Sequence, residues 1–451
     1  MKLFGTDGIR GRVNRFPMTP ENVLRVGMAT ASVLRKDHGR HMVLMGKDTR
    51  LSGYMIESAL TSGICAKGMD VTLVGPIPTP GVAFLTRALR LDAGIVISAS
   101  HNPFEDNGIK IFSSEGFKLS DELEQEIEKL IANGDFPARR VTGDRIGKAF
   151  RLDDATGRYI EYIKSTIPRG MDLEGLKIVV DSANGAAYKV TPVLLRELGA
   201  EVLSINDKPN GVNINDNCGS LHLECTIKAV RENNAHIGIA HDGDADRTLF
   251  IDEKGNIIDG DVILGIIASE FKKDDKLKGS GIVATVMSNL GLEKYLSGQG
   301  IELFRTKVGD RYVVEEMIKN GCNIGGEQSG HIILFDYNTT GDGPITALQV
   351  LSLMRKKNRL ISELTAGIEL YPQVLLNVPV SERRDYKKIP EVTKAIDESI
   401  RRLGNKGRLL VRPSGTEPKI RVMVEAEDFA MAQGAAEDVA EVIRRHVGAN
   451  I

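Results

Sequence analysis

The chain has 451 residues, 41% of them apolar and 27% charged, and a net charge of −2. That length predicts roughly three domains, and the near-neutral balance, the absence of Trp and an aromatic content of 5% exclude the basic, base-stacking surface a nucleic-acid partner needs. No apolar run approaches ~20 residues and the start, MKLFGTDGIRG, has no apolar leader core, so neither a membrane span nor secretion is expected.

The opening LFGTDGIRG reads as a short strand and a glycine-rich turn carrying Asp7 and Arg10. Thr19-Pro20 predicts a helix start, because Thr caps and Pro suits the first helical position. A pattern then recurs. HMVLMGKDTR predicts a strand and loop, SGYMIESALTSGICAKG a helix ending in glycine, and MDVTLVG a returning strand. LKIVVDSANG, AAYKVTPVLLRELG and AEVLSIN repeat the order, as do SGIVATVMSN, LGLEKYLSGQG and IELFRTKVG. Gly68, Gly199 and Gly300 fall between helix and returning strand, where a C-cap glycine belongs. Three α/β units with largely parallel sheets follow from this alternation.

Each unit supplies one more apolar strand and then a polar loop: AGIVISASHN, AHIGIAHDGDADR and CNIGGEQSGH. Ligands of open α/β sheets sit beyond the carboxyl ends of strands, so these loops are expected to share a site. LSDELEQEIEKLIANG predicts a helix capped by Ser120 and closed by Gly134, with an acidic, solvated outer face. TGDGPITALQVLSLMRKK predicts another. After Tyr371-Pro372 the pattern changes to two apolar strands, GRLLVRP and KIRVMVEA, around SGTEP, and an amphipathic helix, AMAQGAAEDVAEVIRRHV. That is a smaller α+β domain.

Four cysteines, Cys65, Cys218, Cys225 and Cys322, form no CxxC pair, which suits a reducing, cytoplasmic setting. Cys218, His222 and Cys225 lack a clear fourth ligand for zinc. The strongest local signal is Asp242, Asp244 and Asp246, followed by Arg247. Three alternating carboxylates packed together repel by about 4 kcal/mol per pair at an effective dielectric near 20, a cost that Mg²⁺ or Ca²⁺ removes and that a hydrated turn avoids. An EF-hand loop would put its last ligand at Glu253, but Arg247 stands where that loop needs glycine and both flanks read as strands.

Ser100, at the tip of SASHNP, carries a phosphoryl group or caps a turn; no G-x-S-x-G elbow makes it a hydrolase nucleophile. His101 beside it shuttles a proton or satisfies the turn, and His241 and His331 are equally open. Glu327 and Ser329, between glycines, suit sugar hydroxyls or form an ordinary turn, and Lys307, Gly309, Asp310 and Arg311 add polar groups at a strand end. Arg412, Ser414, Gly415, Thr416 and Arg421 offer guanidinium forks, hydroxyls and backbone N–H groups for a phosphate, or else a surface turn.

Taken together, FGTDGIRG, GKDTR, SASHNP, DGDADR, GEQSGH and RPSGTEPKIRV resemble the α-D-phosphohexomutase family, over nearly the whole chain and in the family's order; the GEQSGH loop leans toward its glucosamine branch. The resemblance implies three α/β domains with mixed, largely parallel sheets plus a C-terminal α+β domain around a central cleft. The divisions expected are 1–152 with a phosphoserine loop, 153–255 with a metal loop, 256–369 with a sugar loop and 370–451 with a phosphate site. It implies interconversion of glucosamine 6-phosphate and glucosamine 1-phosphate through phosphorylated Ser100 and a sugar 1,6-bisphosphate. Glucose or mannose phosphates are the alternative substrates, and a metal-dependent phosphosugar phosphatase the rival activity. Ser100, Asp242, Asp244 and Asp246 match ligands of Mg²⁺. Arg10, His101, Lys110 and Arg247 match groups near the transferring phosphoryl. Glu327, Ser329 and His331, with Lys307, Gly309 and Asp310, are expected on the sugar, and Arg412, Ser414, Gly415, Thr416 and Arg421 on its other phosphate. The expected partner is a small hexosamine phosphate, not nucleic acid or a membrane, and a homodimer is a candidate assembly. One departure is Ala245, where the family often has glycine; its methyl is expected to fit if φ there is negative.

Overall fold

The computed structural model describes residues 2–5, 7–35, 39–134, 140–380, 386–413 and 419–447. The chain forms two compact units, one of residues 1–287 and 301–366, the other of residues 288–300 and 367–451.

In chain order the first unit begins β1 (Ile9–Arg12), α1 (Pro20–Leu34), β2 (Met42–Lys47), α2 (Gly53–Cys65), β3 (Asp70–Pro76), α3 (Thr79–Ala88), β4 (Ala93–Ile97), β5 (Asp106–Ser113), α4 (Asp121–Asn133) and β6 (Ala149–Arg151). It continues with α5 (Ala155–Lys164), β7 (Lys177–Asp181), α6 (Val190–Glu197), β8 (Glu201–Ile205), α7 (Glu224–Asn233), β9 (Ile237–His241), β10 (Thr248–Asp252), β11 (Ile257–Ile258), α8 (Gly260–Lys273) and β12 (Gly281–Thr285). The chain then enters the second unit for α9 (Leu290–Gly298) and returns as β13 (Glu302–Thr306), α10 (Asp310–Asn320), β14 (Ile324–Gly326), β15 (Ile332–Leu334), α11 (Gly343–Lys357) and α12 (Ile361–Thr365).

Three mixed sheets repeat one plan. Their orders contain β3-β2-β4-β5, β8-β7-β9-β10 and β13-β12-β14-β15, with the first three strands of each run parallel and the fourth antiparallel. The central parallel strands are mostly apolar because both faces are covered; β4 and β9 are buried at every residue. In every sheet the third strand turns back as an antiparallel neighbour, and the connecting loop is one of the three polar loops singled out above. Gly68, Gly199 and Gly300 have φ of 82°, 91° and 66°, the left-handed backbone that ends a helix and that glycine adopts without a Cβ penalty.

Local signals set the helix ends. Thr19 accepts the N–H of Asn22 at 3.4 Å and Pro20 starts α1. Ser120 accepts from Leu123 at the start of α4, and Gly134 closes it with φ 67°. The acidic face of α4 is not merely solvated. Glu124 accepts from Arg311 at 2.6 Å and Glu128 from the N–H of Leu3 at 2.6 Å, so two of its acids tie other segments down. The helices α1 and α2 approach through glycine. A Cβ on Gly27 would lie 2.7 Å from the Leu60 carbonyl oxygen, and one on Gly63 would run into that of Leu24.

The second unit adds β16 (Gln373–Pro379), α13 (Pro390–Leu403), β17 (Gly407–Pro413), β18 (Lys419–Ala426) and α14 (Phe429–Val447). Its sheet is antiparallel, in the order β16-β18-β17. Val378, Val422 and Val424 pack with Ala436, Val439 and Ile443 of α14. Neither β16 nor α13 was expected from the sequence. Glu425, fully buried, joins α9 to this unit: it accepts from Leu290 N at 3.0 Å, Gln373 Nε2 at 2.8 Å and the Arg408 guanidinium at 3.0 Å. Arg408 also donates to the Ser288 carbonyl at 2.8 Å. Among the described residues, no helix is long and apolar enough to cross a membrane.

Candidate active site

Ser100 lies just beyond β4, 1% exposed, with φ 54°. Left-handed backbone costs a non-glycine residue roughly 1–3 kcal/mol and persists only where surroundings hold it. Here the Ser100 N–H donates to Ser98 Oγ at 2.9 Å, and Ser98 Oγ donates to Asp48 Oδ2 at 2.6 Å. Asp48 is paired with Arg50 Nε at 2.9 Å. The Ser100 hydroxyl, so directed, donates to Asp242 Oδ2 at 2.6 Å and lies 3.3 Å from His101 Nδ1.

The aspartate run is the loop between β9 and β10. One oxygen from each of Asp242, Asp244 and Asp246 lies within 4.8 Å of the others, and all three residues are buried. Because both flanks are strands, the EF-hand alternative is excluded. Lys110, on β5, donates to Asp244 Oδ2 at 2.7 Å and Asp246 Oδ2 at 3.1 Å. Thr79, opening α3, donates its hydroxyl to Asp244 Oδ2 at 2.5 Å. Asp244 Oδ1 and Asp246 Oδ1 remain buried with no hydrogen-bond partner. Buried carboxylate oxygens are rarely left so, and a hard divalent cation satisfies them; the donor set fits one. Burial, then the charges of Asp246 and Asp244, pushes the Asp242 carboxyl well up. For Asp246 burial acts the same way, but Lys110 and then His331 outweigh it and hold that carboxyl well down. Among the described residues this is the one cluster of His, Cys, Asp and Glu side chains placed to hold a metal, so Cys218, His222 and Cys225 form none.

Ala245 corrects an expectation. Its φ is 54°, not negative, and it is fully buried. The chain reverses here from β9 into antiparallel β10, with the Ala245 N–H donating to the Asp242 carbonyl at 3.1 Å, and the alanine carries the left-handed step of that turn at a cost glycine avoids.

A network of charges surrounds the loops. Asp7 pairs with Arg10, with Lys118 and with Lys110 at 3.3 Å, and Lys118 reaches on to Asp310. Burial works to raise the Asp7 carboxyl, but Lys110, Lys118 and Arg10 together hold it well down. His331 is 3.7 Å from both Asp246 and Asp310 and accepts the Gly341 N–H at Nε2, 3.1 Å. Arg247 Nη1 donates to His101 Nδ1 at 3.2 Å. Burial, then Arg247 and Arg10, pushes His101 down to about 4, so it is neutral near pH 7. Glu327 accepts the Gly309 N–H at 3.0 Å and Ser329 Oγ at 3.5 Å.

The fold therefore gathers Arg10, Ser100, His101, Lys110, the three aspartates, Arg247, Asp310 and His331 into one contact network, with Gly309 on the loop before α10 and Glu327 and Ser329 on the loop between β14 and β15 beside it. Lys307 does not join it; it is exposed, 5.7 Å from the Tyr312 ring. In the second unit Arg412 and Arg421 face each other across β17 and β18. Burial and then Arg421 lower Arg412, and like charges directly opposite are destabilising. Neither has a carboxylate partner among the described residues, and Arg421 Nε is buried without a hydrogen-bond partner. Ser414, Gly415 and Thr416 lie outside the described residues. Sequence reasoning missed Thr79, Lys118, Asp48, Arg50 and Asn215. GKDTR was visible as a motif, but nothing in it states which loop its side chains reach.

The profiles of the phosphoglucomutase/phosphomannomutase α/β/α domains I, II and III match residues 1–138, 157–255 and 259–371, and that of the family's C-terminal domain matches 375–442. The chain belongs to the phosphoglucomutase/phosphomannomutase, or α-D-phosphohexomutase, family. It is 60% identical to the phosphoglucosamine mutase of Thermodesulfovibrio yellowstonii, over 95% of this chain and 96% of that one. It is 54% identical to that of Syntrophotalea carbinolica, over 99% and 98%. A crystal structure of a family protein from Burkholderia thailandensis superposes with a TM-score of 0.82 at 26% identity, covering 98% and 97%.

Proposed function

We infer that the protein is a phosphosugar mutase that interconverts glucosamine 6-phosphate and glucosamine 1-phosphate through phosphorylated Ser100 and a sugar 1,6-bisphosphate. The observation that carries this is the buried Ser100 hydroxyl, 2.6 Å from Asp242 in a carboxylate triad with orphaned oxygens. Relatives named phosphoglucosamine mutase support the hexosamine substrate. Mg²⁺ suits the triad's oxygens and, when bound, supplies charge neutralisation to the transferring phosphoryl.

The remaining chemistry belongs to the chain. The bond from phosphorus to Ser100 Oγ breaks as one from a sugar hydroxyl oxygen to phosphorus forms; the hydroxyl loses its proton and Ser100 Oγ regains one. Neutral His101, 3.3 Å away, is placed to handle a proton at that oxygen. Lys110, Arg10 and Arg247 offset charge on the equatorial oxygens. We assign Glu327, Ser329, His331, Gly309, Asp310 and Lys307 to the sugar, and Arg412 and Arg421, with Ser414, Gly415 and Thr416, to the phosphate not in transfer. The bisphosphate then presents its other phosphoryl, which returns to Ser100.

Ser100→Ala tests the reading. The variant is expected to fold normally, form no isomer and take up no phosphoryl group by intact mass; wild-type turnover in it would refute the assignment. Free phosphate accumulating as fast as substrate disappears in the wild type would mark a phosphatase instead. Comparing the 6-phosphates of glucosamine, glucose and mannose fixes the substrate.

A further inference from the structure

Two side chains that touch no reacting atom grip the backbone of the Ser100 loop. Arg50 is fully buried at the end of β2. Its Nη2 donates to the carbonyls of Ser100 at 2.9 Å and Asn102 at 2.8 Å, and its Nη1 donates to that of Pro103. Asn215 comes from the loop after β8. Its Nδ2 donates to the same two carbonyls, Ser100 at 2.9 Å and Asn102 at 3.0 Å. Gly243, inside the aspartate run, closes on the same point: a Cβ there would lie 2.6 Å from the Ser100 oxygen and 2.8 Å from Asn215 Nδ2. Nucleophile loop, metal loop and Asn215 thus meet at one carbonyl oxygen.

The geometry explains what such a grip does. A carbonyl oxygen has two lone pairs, and here two donors occupy that of Ser100. The peptide plane after Ser100 cannot turn without breaking both bonds. The plane before it is pinned by Ser98 Oγ. With both planes fixed, the direction of the Cα–Cβ bond is fixed as well, at a φ of 54° that serine does not favour. Release would let φ return to negative values and swing Oγ off the aspartates.

We propose that Arg50 and Asn215 are positioning residues that aim Ser100 for phosphoryl transfer, acting through the backbone of its loop; this rests on the mutase reading above. The test uses the full chain, loaded with Mg²⁺ and primed with a hexose 1,6-bisphosphate, as wild type, Asn215→Ala and Asn215→Asp. The aspartate keeps the shape and removes the N–H donors, so it separates donation from packing. Both variants are expected to lose roughly 10–100-fold in kcat, since a misplacement near 1 Å costs about that much, while KM stays within about twofold. Uptake of a phosphoryl group on Ser100 from the bisphosphate, followed by intact mass, slows by the same factor, and the melting temperature stays close to wild type. Arg50→Lys, which keeps the charge but not the fork, shows the same split in its folded fraction. Wild-type kcat in both Asn215 variants, or a loss that tracks melting, would overturn the proposal while leaving the mutase reading intact. A wild-type protein that forms no isomer would instead bring down the reading and the proposal together.

Discussion

His241 shows how a residue's chemistry is decided by its surroundings. Its position beside Asp242 leaves a proton-shuttling role open. In the fold it is fully buried: Nδ1–H donates to the Arg247 carbonyl at 3.2 Å, and Nε2 accepts from Thr191 Oγ1 at 2.9 Å. Both nitrogens are used, and burial pushes the imidazole down to about 4. The consequence for stability has a definite sign. Below about 6.5 the unfolded chain takes up a proton that the folded one refuses, so stability present at pH 7 is lost as pH falls toward 4, by on the order of 3 kcal/mol. Urea unfolding of wild type and His241→Gln across pH 7 to 4 checks this: the wild type's advantage should shrink with acid, and a constant difference would count against it. Ser100 and the aspartates were legible because their chemistry is written in short local runs. Asn215 was not, since its role exists only where two distant loops meet.

At the scale of elements, the repeated strand, helix, glycine and strand was readable because apolar periodicity and C-cap glycines are local. The same kind of signal is present in α13, which carries Val392, Ile396 and Leu403 at helical spacing on its packed face. What no local pattern states is how closely two helices approach. Gly63 looks like a weak point of α2, and on a free helix its replacement by alanine would gain about 1 kcal/mol. Against the Leu24 carbonyl it should do the opposite. Gly63→Ala is expected to lose roughly 1–3 kcal/mol through overpacking, read as a lower urea midpoint with an unchanged slope. A stabilised variant would show that α1 and α2 yield more readily than their backbone contact implies.

For the whole molecule, the four motif-bearing segments were evident in the sequence, but the membership of α9 in the second unit was not. Composition changes near Tyr371, whereas α9, well before that point, packs with the second unit. The phosphate site proposed for that unit gives its own prediction. Arg412→Ala should weaken hexosamine-phosphate binding by about 2–5 kcal/mol, with phosphorylation of Ser100 still detectable by mass. Unchanged affinity by calorimetry would take the arginine pair out of the binding site. The bonds from Glu425 to Leu290 and from Arg408 to Ser288 carry a different implication, for inheritance. Since the chain passes between the units at 287/288, 300/301 and 366/367, a single recombination crossover near 370 would deliver a tail whose Glu425 and Arg408 must fit another lineage's α9. Exchanging this module between relatives takes coordinated changes at two separate places in the gene.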